Sequence, residues 1–227
     1  MTPTAARAVA DRVGAAVEQV FGTVSVVREA ALRELADGDA GHGGLAAVVA
    51  DLLRTSGAPA VGMGLIEAPR PRLDLPLRLH WWQVDPQGGR LRELDPDLRP
   101  SSVGFYDYAA APWFDVPRRT GRRYVVGPYV DVHGTGRYLL TLTEPVALDG
   151  EFAGVAGADV PVTAFEQRVL GDLGSGRPPF LLVNDEDRVV VSTVARRPVG
   201  SIVPSGAVVP DAGAEVPGVP WRVLVEA

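Results

Sequence analysis

The chain has 227 residues, 46% of them hydrophobic, enough to bury a sizeable core as one large domain or two small ones, and this excludes a wholly disordered protein. Its formal net charge of -6 argues against a general affinity for nucleic acid or for an anionic membrane surface. There is no cysteine, hence no disulfide and no cysteine metal site, and all 22 basic residues are arginine, a bias we read as the codon usage of a GC-rich genome.

Taken in chain order, the N-terminal stretch "MTPTAARAVADRVGAAVEQVFGTV" is interrupted by Asp11 and Glu18, so no apolar run approaches the roughly 20 residues that span a bilayer. If the chain is complete, a soluble cytoplasmic protein is expected. Apolar residues at positions 9, 13, 16, 17, 20, 24, 27, 31, 32 and 35 recur at helical spacing, which predicts one long amphipathic helix over 4–36, with Gly22 loosening its middle. "DGDAGHGG" (37–44) reads as a loop, and "LAAVVADLLRT" (45–55) as a second helix ended by Ser56 and Gly57.

The pattern then changes to strands: 60–67, 77–85, a short one at 91–94, then 123–130, 137–146 and 152–159. Proline-rich "APRPRLDLP" and the turns "PQGG", "HGTG" and "LDGE" separate them, the marks of an antiparallel meander. Pro161 stands where a helix over 161–173 should start. Beyond it, 180–184 and 188–193 form a hairpin, a Gly/Pro/Val-rich connection covers 198–219, and a last strand covers 220–226. Linker-like "GSGRPP" places a boundary near 174, dividing the chain into 1–174 and a small β-rich unit, 175–227. The expected class is α+β: long N-terminal helices on an antiparallel sheet of about five strands, then a smaller three-stranded unit.

Candidate chemistry concentrates in "YDYAAAPWF" (106–114), which sets three alanines between aromatic residues. This stretch, followed by "GPYVD", "TEPV" and "FAGVAGADV", resembles the successive landmarks of Cache sensor domains over roughly residues 60–165. The resemblance implies a PAS-like sheet that holds a small ligand without catalysis, followed here by a reduced second module, and an extracellular sensor domain if the chain is a fragment. It assigns Tyr106, Trp113, Phe114, Tyr129 and Asp159 to the ligand site. It also leaves Ala109 and Ala111 where arginines are usual, and Phe114 where tyrosine is usual. Aromatic faces plus one carboxylate suit a cation, so the implied ligand is an amine or quaternary ammonium compound. Arg118 or Arg119 folding back would restore an amino-acid site.

Plainer readings stand beside these. Trp113 and Phe114 also suit a core, and Asp159 suits a cap on the helix after it. "RRTGRR" (118–123) reads as a solvated turn. Trp81 and Trp82 alternate on one strand, so one belongs to the core and the other faces a pocket or partner. His42, His80 and His133 lack metal-ligand spacing, and no nucleophile–base set is visible, so no metal, cofactor or enzyme activity is expected. The remaining expectations are a homodimer through the long helix, or a ligand-free dimerisation module, and a separate signalling partner that carries the output.

Overall fold

A computed structural model of the chain describes residues 3–37, 43–55, 57, 59–69, 77–85, 89–132, 136–176, 179–204 and 213–224. The loop expected at 37–44, the proline-rich segment and the "PQGG" and "HGTG" turns fall largely, and His42 and His133 entirely, outside the described residues.

Helix α1 (Pro3–Asp37) forms where Val9, Val13, Val17, Val20, Val24 and Val27 repeat every three or four residues, and all six are buried. Gly22 lies on its exposed side, and the helix runs through it. Helix α2 (Gly43–Thr55) buries Leu45 and Val49. The Leu45 amide, one of the donors a helix start leaves unsatisfied, donates to Glu34 Oε1 on α1 at 2.6 Å.

Strands β1 (Gly62–Glu67), β2 (Leu79–Val84) and β3 (Leu91–Glu93) come next, then a 3-10 turn (Tyr108–Ala110) and helix α3 (Pro112–Thr120). Strands β4 (Tyr124–Val130), β5 (Tyr138–Leu148) and β6 (Glu151–Pro161) follow, then helix α4 (Val162–Leu173). The C-terminal part holds β7 (Leu181–Val183), β8 (Val189–Ser192), β9 (Ala214–Glu215) and β10 (Arg222–Leu224). All pairings are antiparallel: a six-stranded sheet ordered β3-β2-β1-β6-β5-β4 and a four-stranded sheet ordered β8-β7-β10-β9. The α+β class is as expected. The sheets hold six and four strands, where about five and three were expected. The smaller one gains its fourth from β9, two residues inside the segment read as a connection. Helix α3 was not expected either, because its nine residues include Pro112 and Pro117.

Strand alternation divides the large sheet into two chemistries. Met63 and Leu65, Trp82, Leu140 and Leu142, and Ala156, Ala158 and Val160 belong to the core beneath α1 and α2. On the other face, Ile66, Leu79, Trp81 and Val155 pack with Tyr108, Trp113 and Phe114 into a second cluster. Of the tryptophan pair, then, Trp82 is core and Trp81 faces the site.

The main core continues into the small sheet through Leu182, Val190, Val191 and Val223, and Trp221 meets Phe165 of α4 edge to face at 5.8 Å. Helix α1 contacts β1, β5 and β6 as well as β9 and β10. The length that suggested a dimerisation helix is therefore used within the chain. Within the larger unit, Arg123, just before β4, pairs with Glu18 of α1 and sits 4.3 Å over the Phe21 ring. A further tie crosses between the units. Asn184, buried after β7, donates from Nδ2 to the Gly127 carbonyl at 2.8 Å, where the β4–β5 register shifts.

Candidate ligand pocket

The pocket face is organised by glycine. Gly64 and Gly157 are cross-strand partners, and Gly62 pairs with Asp159. A Cβ on Gly62 would lie 2.8 Å from the Trp81 Nε1, and one on Gly157 would lie 3.3 Å from the Trp81 Cη2. The indole therefore lies flat across β1 and β6, where any side chain would displace it. Trp81 is buried, and among the described residues its Nε1 has no hydrogen-bond partner within ordinary geometry.

Helix α3 and the 3-10 turn close the pocket from above. Pro112 starts α3 at a position that needs no amide donor, and Gly121 ends it in the left-handed conformation (φ 66°), its N–H donating to the Pro117 carbonyl. Thr143 Oγ1 of β5 donates to the Trp113 carbonyl at 2.7 Å, and Tyr108 Oη donates to the Glu67 carbonyl at 2.9 Å. These bonds fix the aromatic stretch on the sheet.

Between them lies an inner cavity of about 30 Å³, lined by Ile66, Leu79, Trp81, Leu94, Tyr106, Trp113, Tyr129, Asp131, Thr141 and Asp159. An outer pocket of about 540 Å³ shares Tyr106, Trp113, Tyr129 and Asp131 with it, and adds Phe105, Asp107, Ala110, Ala111, Pro112, Val126, Val130 and Val132. The inner space is on the scale of one or two water molecules, whereas the outer one lies in the usual range for a small-molecule site. Among the described residues, no arginine lines either compartment.

The polar end of the inner cavity is a short hydrogen-bonded series. Thr141 Oγ1 donates to Asp159 Oδ1 at 2.7 Å, and Tyr129 Oη lies 2.8 Å from the same Thr141 oxygen. Because the threonine has one proton and gives it to the carboxylate, the tyrosine is the donor in the second bond. Burial pushes the Asp159 carboxyl up to about 7. The bond from Thr141 opposes that rise, the charge of Asp131 adds to it, and the nearby Trp81 indole and Arg137 guanidinium lower it. Burial likewise raises both Tyr106 and Tyr129, with the charges of Asp131 and Asp159 adding to it, so both phenols stay protonated donors.

Of the five expected site residues, Tyr106, Trp113, Tyr129 and Asp159 converge on the inner cavity. Phe114 does not line either compartment. Its ring is fully buried against Tyr108 (5.3 Å), Phe152 (5.5 Å) and Trp113 (6.2 Å), all edge to face, so it supports the wall from behind. That correction follows from helix geometry: adjacent residues on α3 point in different directions, and only one of Trp113 and Phe114 can face the cavity. Asp159 caps nothing, since β6 runs on to Pro161 and α4 starts without a side-chain cap. Arg118 and Arg119 both pair with Asp115 on the exposed side of α3, away from the pocket. The sequence reading missed Asp131 and Thr141, although "GPYVD" contains the first and the β5 alternation places the second.

No protein-family model matches the chain. A segment of 86 residues, 36% of this chain, is 33% identical to the methyl-accepting chemotaxis protein TlpQ of Pseudomonas aeruginosa and spans 12% of that receptor's length. A solved structure described as methyl-accepting chemotaxis protein X matches with a TM-score of 0.72 over 99% of this chain and 95% of its own, at 16% identity. The ligand-binding domain of the Pseudomonas aeruginosa PAO1 amino-acid chemoreceptor PctC, solved with GABA, matches at 0.64 over 98% and 97%, at 18% identity.

The fold is that of the Cache sensor domains. Within the Cache framework, the inner cavity sits on the face of the large sheet opposite α1 and α2, under the aromatic turn and α3. No helix among the described residues is long and apolar enough to cross a membrane. The expectation of a cytoplasmic protein gains no support from these chemoreceptor relatives.

Proposed function

We propose that this chain is the ligand-sensing domain of a larger signalling receptor, and that its ligand is an amine held by its ammonium group. The first part rests on the Cache fold and on the match to a chemotaxis receptor of which the aligned segment is a small share. As a sensor domain it belongs outside the cytoplasm, and its output lies in a separate segment or partner. The second part rests on one observation: Asp131 and Asp159 line the inner cavity, with aromatic rings around them, while no arginine among the described residues lines either compartment. Ring faces and a carboxylate attract a cation, and an anionic group has no fixed partner there. The cavity's size favours a primary ammonium over a quaternary one. The amino-acid reading needs an arginine, and Arg118 and Arg119 are engaged with Asp115.

The test is a thermal-shift screen followed by calorimetry, with primary amines, quaternary ammonium compounds and α-amino acids compared. Saturable stabilisation by primary amines is expected, following mass action for a ligand that binds only the native state. Asp159→Asn is expected to abolish that binding while the protein remains folded. Ala111→Arg, which adds a guanidinium at the wall of the outer pocket, is expected to shift preference towards ligands that carry a carboxylate. Undiminished amine binding by Asp159→Asn refutes the cation site. If nothing in the panel binds and sedimentation shows a stable dimer, the ligand-free dimerisation module takes its place.

A further inference from the structure

The two compartments of the pocket differ in size and in chemistry, and the difference constrains the whole ligand. The inner cavity, about 30 Å³, has room for an ammonium and the carbon that carries it. The outer pocket, about 540 Å³, is by far the larger space, and a ligand held by its ammonium must place the rest of itself there. Tyr106, Trp113 and Tyr129 line both, so their rings stand where the two meet.

Beyond those rings the outer wall is apolar, with Phe105, Ala111, Pro112, Val126, Val130 and Val132 along it. Val130 is 52% exposed and Val132 73%, yet both face this hollow. One exposed valine is ordinary, but two that converge with Phe105 on a concave wall make an apolar surface that a ligand can remove from water. Ala110 and Ala111 contribute only methyl groups, which leaves the hollow unfilled. The wall is also held in shape. The Val132 amide donates to the Val130 carbonyl at 3.0 Å, and the Phe105 and Tyr106 amides donate to the Ser102 and Asp97 carbonyls at 3.2 and 2.8 Å. Little ordering is then needed when a ligand body enters.

The charged groups on this wall are Asp107 and Asp131. Asp131 also lines the inner cavity, so it lies at the inner end. Asp107 is exposed, and a solvated carboxylate at a pocket rim gains little from a second ammonium. Each methylene taken out of water, by contrast, is worth about a threefold gain in affinity. An apolar body therefore suits the outer pocket better than a second charge does.

Resting on the amine reading above, we propose that the outer pocket is an apolar subsite and that the ligand is a monoamine carrying an apolar chain or ring. Its primary ammonium enters the inner cavity, and a methylene passes beside the rings of Tyr106, Trp113 and Tyr129. The apolar body then covers Phe105, Val130 and Val132. Diamines and polyamines are poor ligands, because their second ammonium would lie against the apolar wall without a buried partner.

Isothermal calorimetry of the whole chain with a homologous series, ethylamine to n-hexylamine, reads the subsite directly. From n-propylamine on, each added methylene is expected to tighten the dissociation constant about threefold. 1,5-Diaminopentane has as many heavy atoms as n-hexylamine, with an ammonium in place of the methyl end, and is expected to bind at least about tenfold more weakly. Val130→Thr combined with Val132→Thr keeps the shape of both exposed side chains and replaces a methyl with a hydroxyl at each. The double variant should weaken n-hexylamine about fivefold and leave ethylamine unchanged. An affinity that is flat with chain length overturns the apolar subsite. So does a diamine that binds as tightly as n-hexylamine, or a folded double variant that binds n-hexylamine like the parent. n-Hexanol separates this from the head-group reading and is expected to bind far more weakly than n-hexylamine. If the alcohol binds as tightly, the amine reading falls and the subsite stands; if no member of the series binds, both fall.

Discussion

Along β5, Leu140 and Leu142 face the helices while Thr141 and Thr143 face the pocket, and along β6 Ala158 and Val160 alternate with Asp159. The same strands thus carry a face that is apolar and sealed by α1 and α2, and a face where buried polar groups are admitted one at a time. Three of the polar groups on the second face have a structural reason to be there. Thr143 holds the start of α3, Thr141 holds Asp159, and Tyr129 completes the series. The comparison teaches that the sealed face supplies the stability against which the pocket face can hold a buried carboxyl.

Truncation on the sealed face should have the largest effect. Phe21→Ala removes a fully buried ring and the platform beneath Arg123, and is expected to cost about 3–5 kcal/mol in denaturant unfolding. On the pocket face the sign should reverse. Asp159 has a folded value near 7 against an ordinary carboxyl value of 3.8, so the folded state binds the proton more tightly than the unfolded state does. Stability from this group is therefore lost as pH rises from about 4 to 7, and Asp159→Asn escapes the loss. The variant should be more stable than the parent by on the order of 2–4 kcal/mol at pH 8, with the gap closing towards pH 4 in paired thermal melts. The smallest effect is expected from Thr143→Val. It leaves the buried Trp113 carbonyl without its donor and should cost about 1–2 kcal/mol, with weaker amine binding as the wall loosens. Equal costs at Phe21 and Thr143, or no pH dependence at Asp159, would remove the contrast between the faces.

Much of the fold was legible because its signals are local. The valine repeat of α1 and the alternation in β1, β2, β5 and β6 are periodicities that packing preserved. Helix α3 was hidden because two prolines lower its propensity, and its stability comes from a wall of aromatic contacts that sequence order does not display. β9 was hidden because two residues have no period. In the site, Tyr106, Trp113, Tyr129 and Asp159 were legible through the resemblance of their motifs. Asp131 was not, since an aspartate after a strand reads equally well as a turn residue, and Phe114 was misplaced because direction around a short helix is a tertiary fact.

The Asn184 bond to the Gly127 carbonyl has a consequence for how the protein can be divided. Asn184 is buried at the head of the β7–β8 hairpin, and its Oδ1 also accepts the amides of Glu186 and Arg188, so the hairpin turn and β4 are held by one side chain. Gly127 lies two positions before Tyr129, at the point where β4 steps out of register with β5. The smaller sheet thus acts as a splint for the strand that carries the pocket's tyrosine. A fragment ending at the proposed boundary near 174 would keep every residue that lines the inner cavity and lose the brace that holds one of them in place.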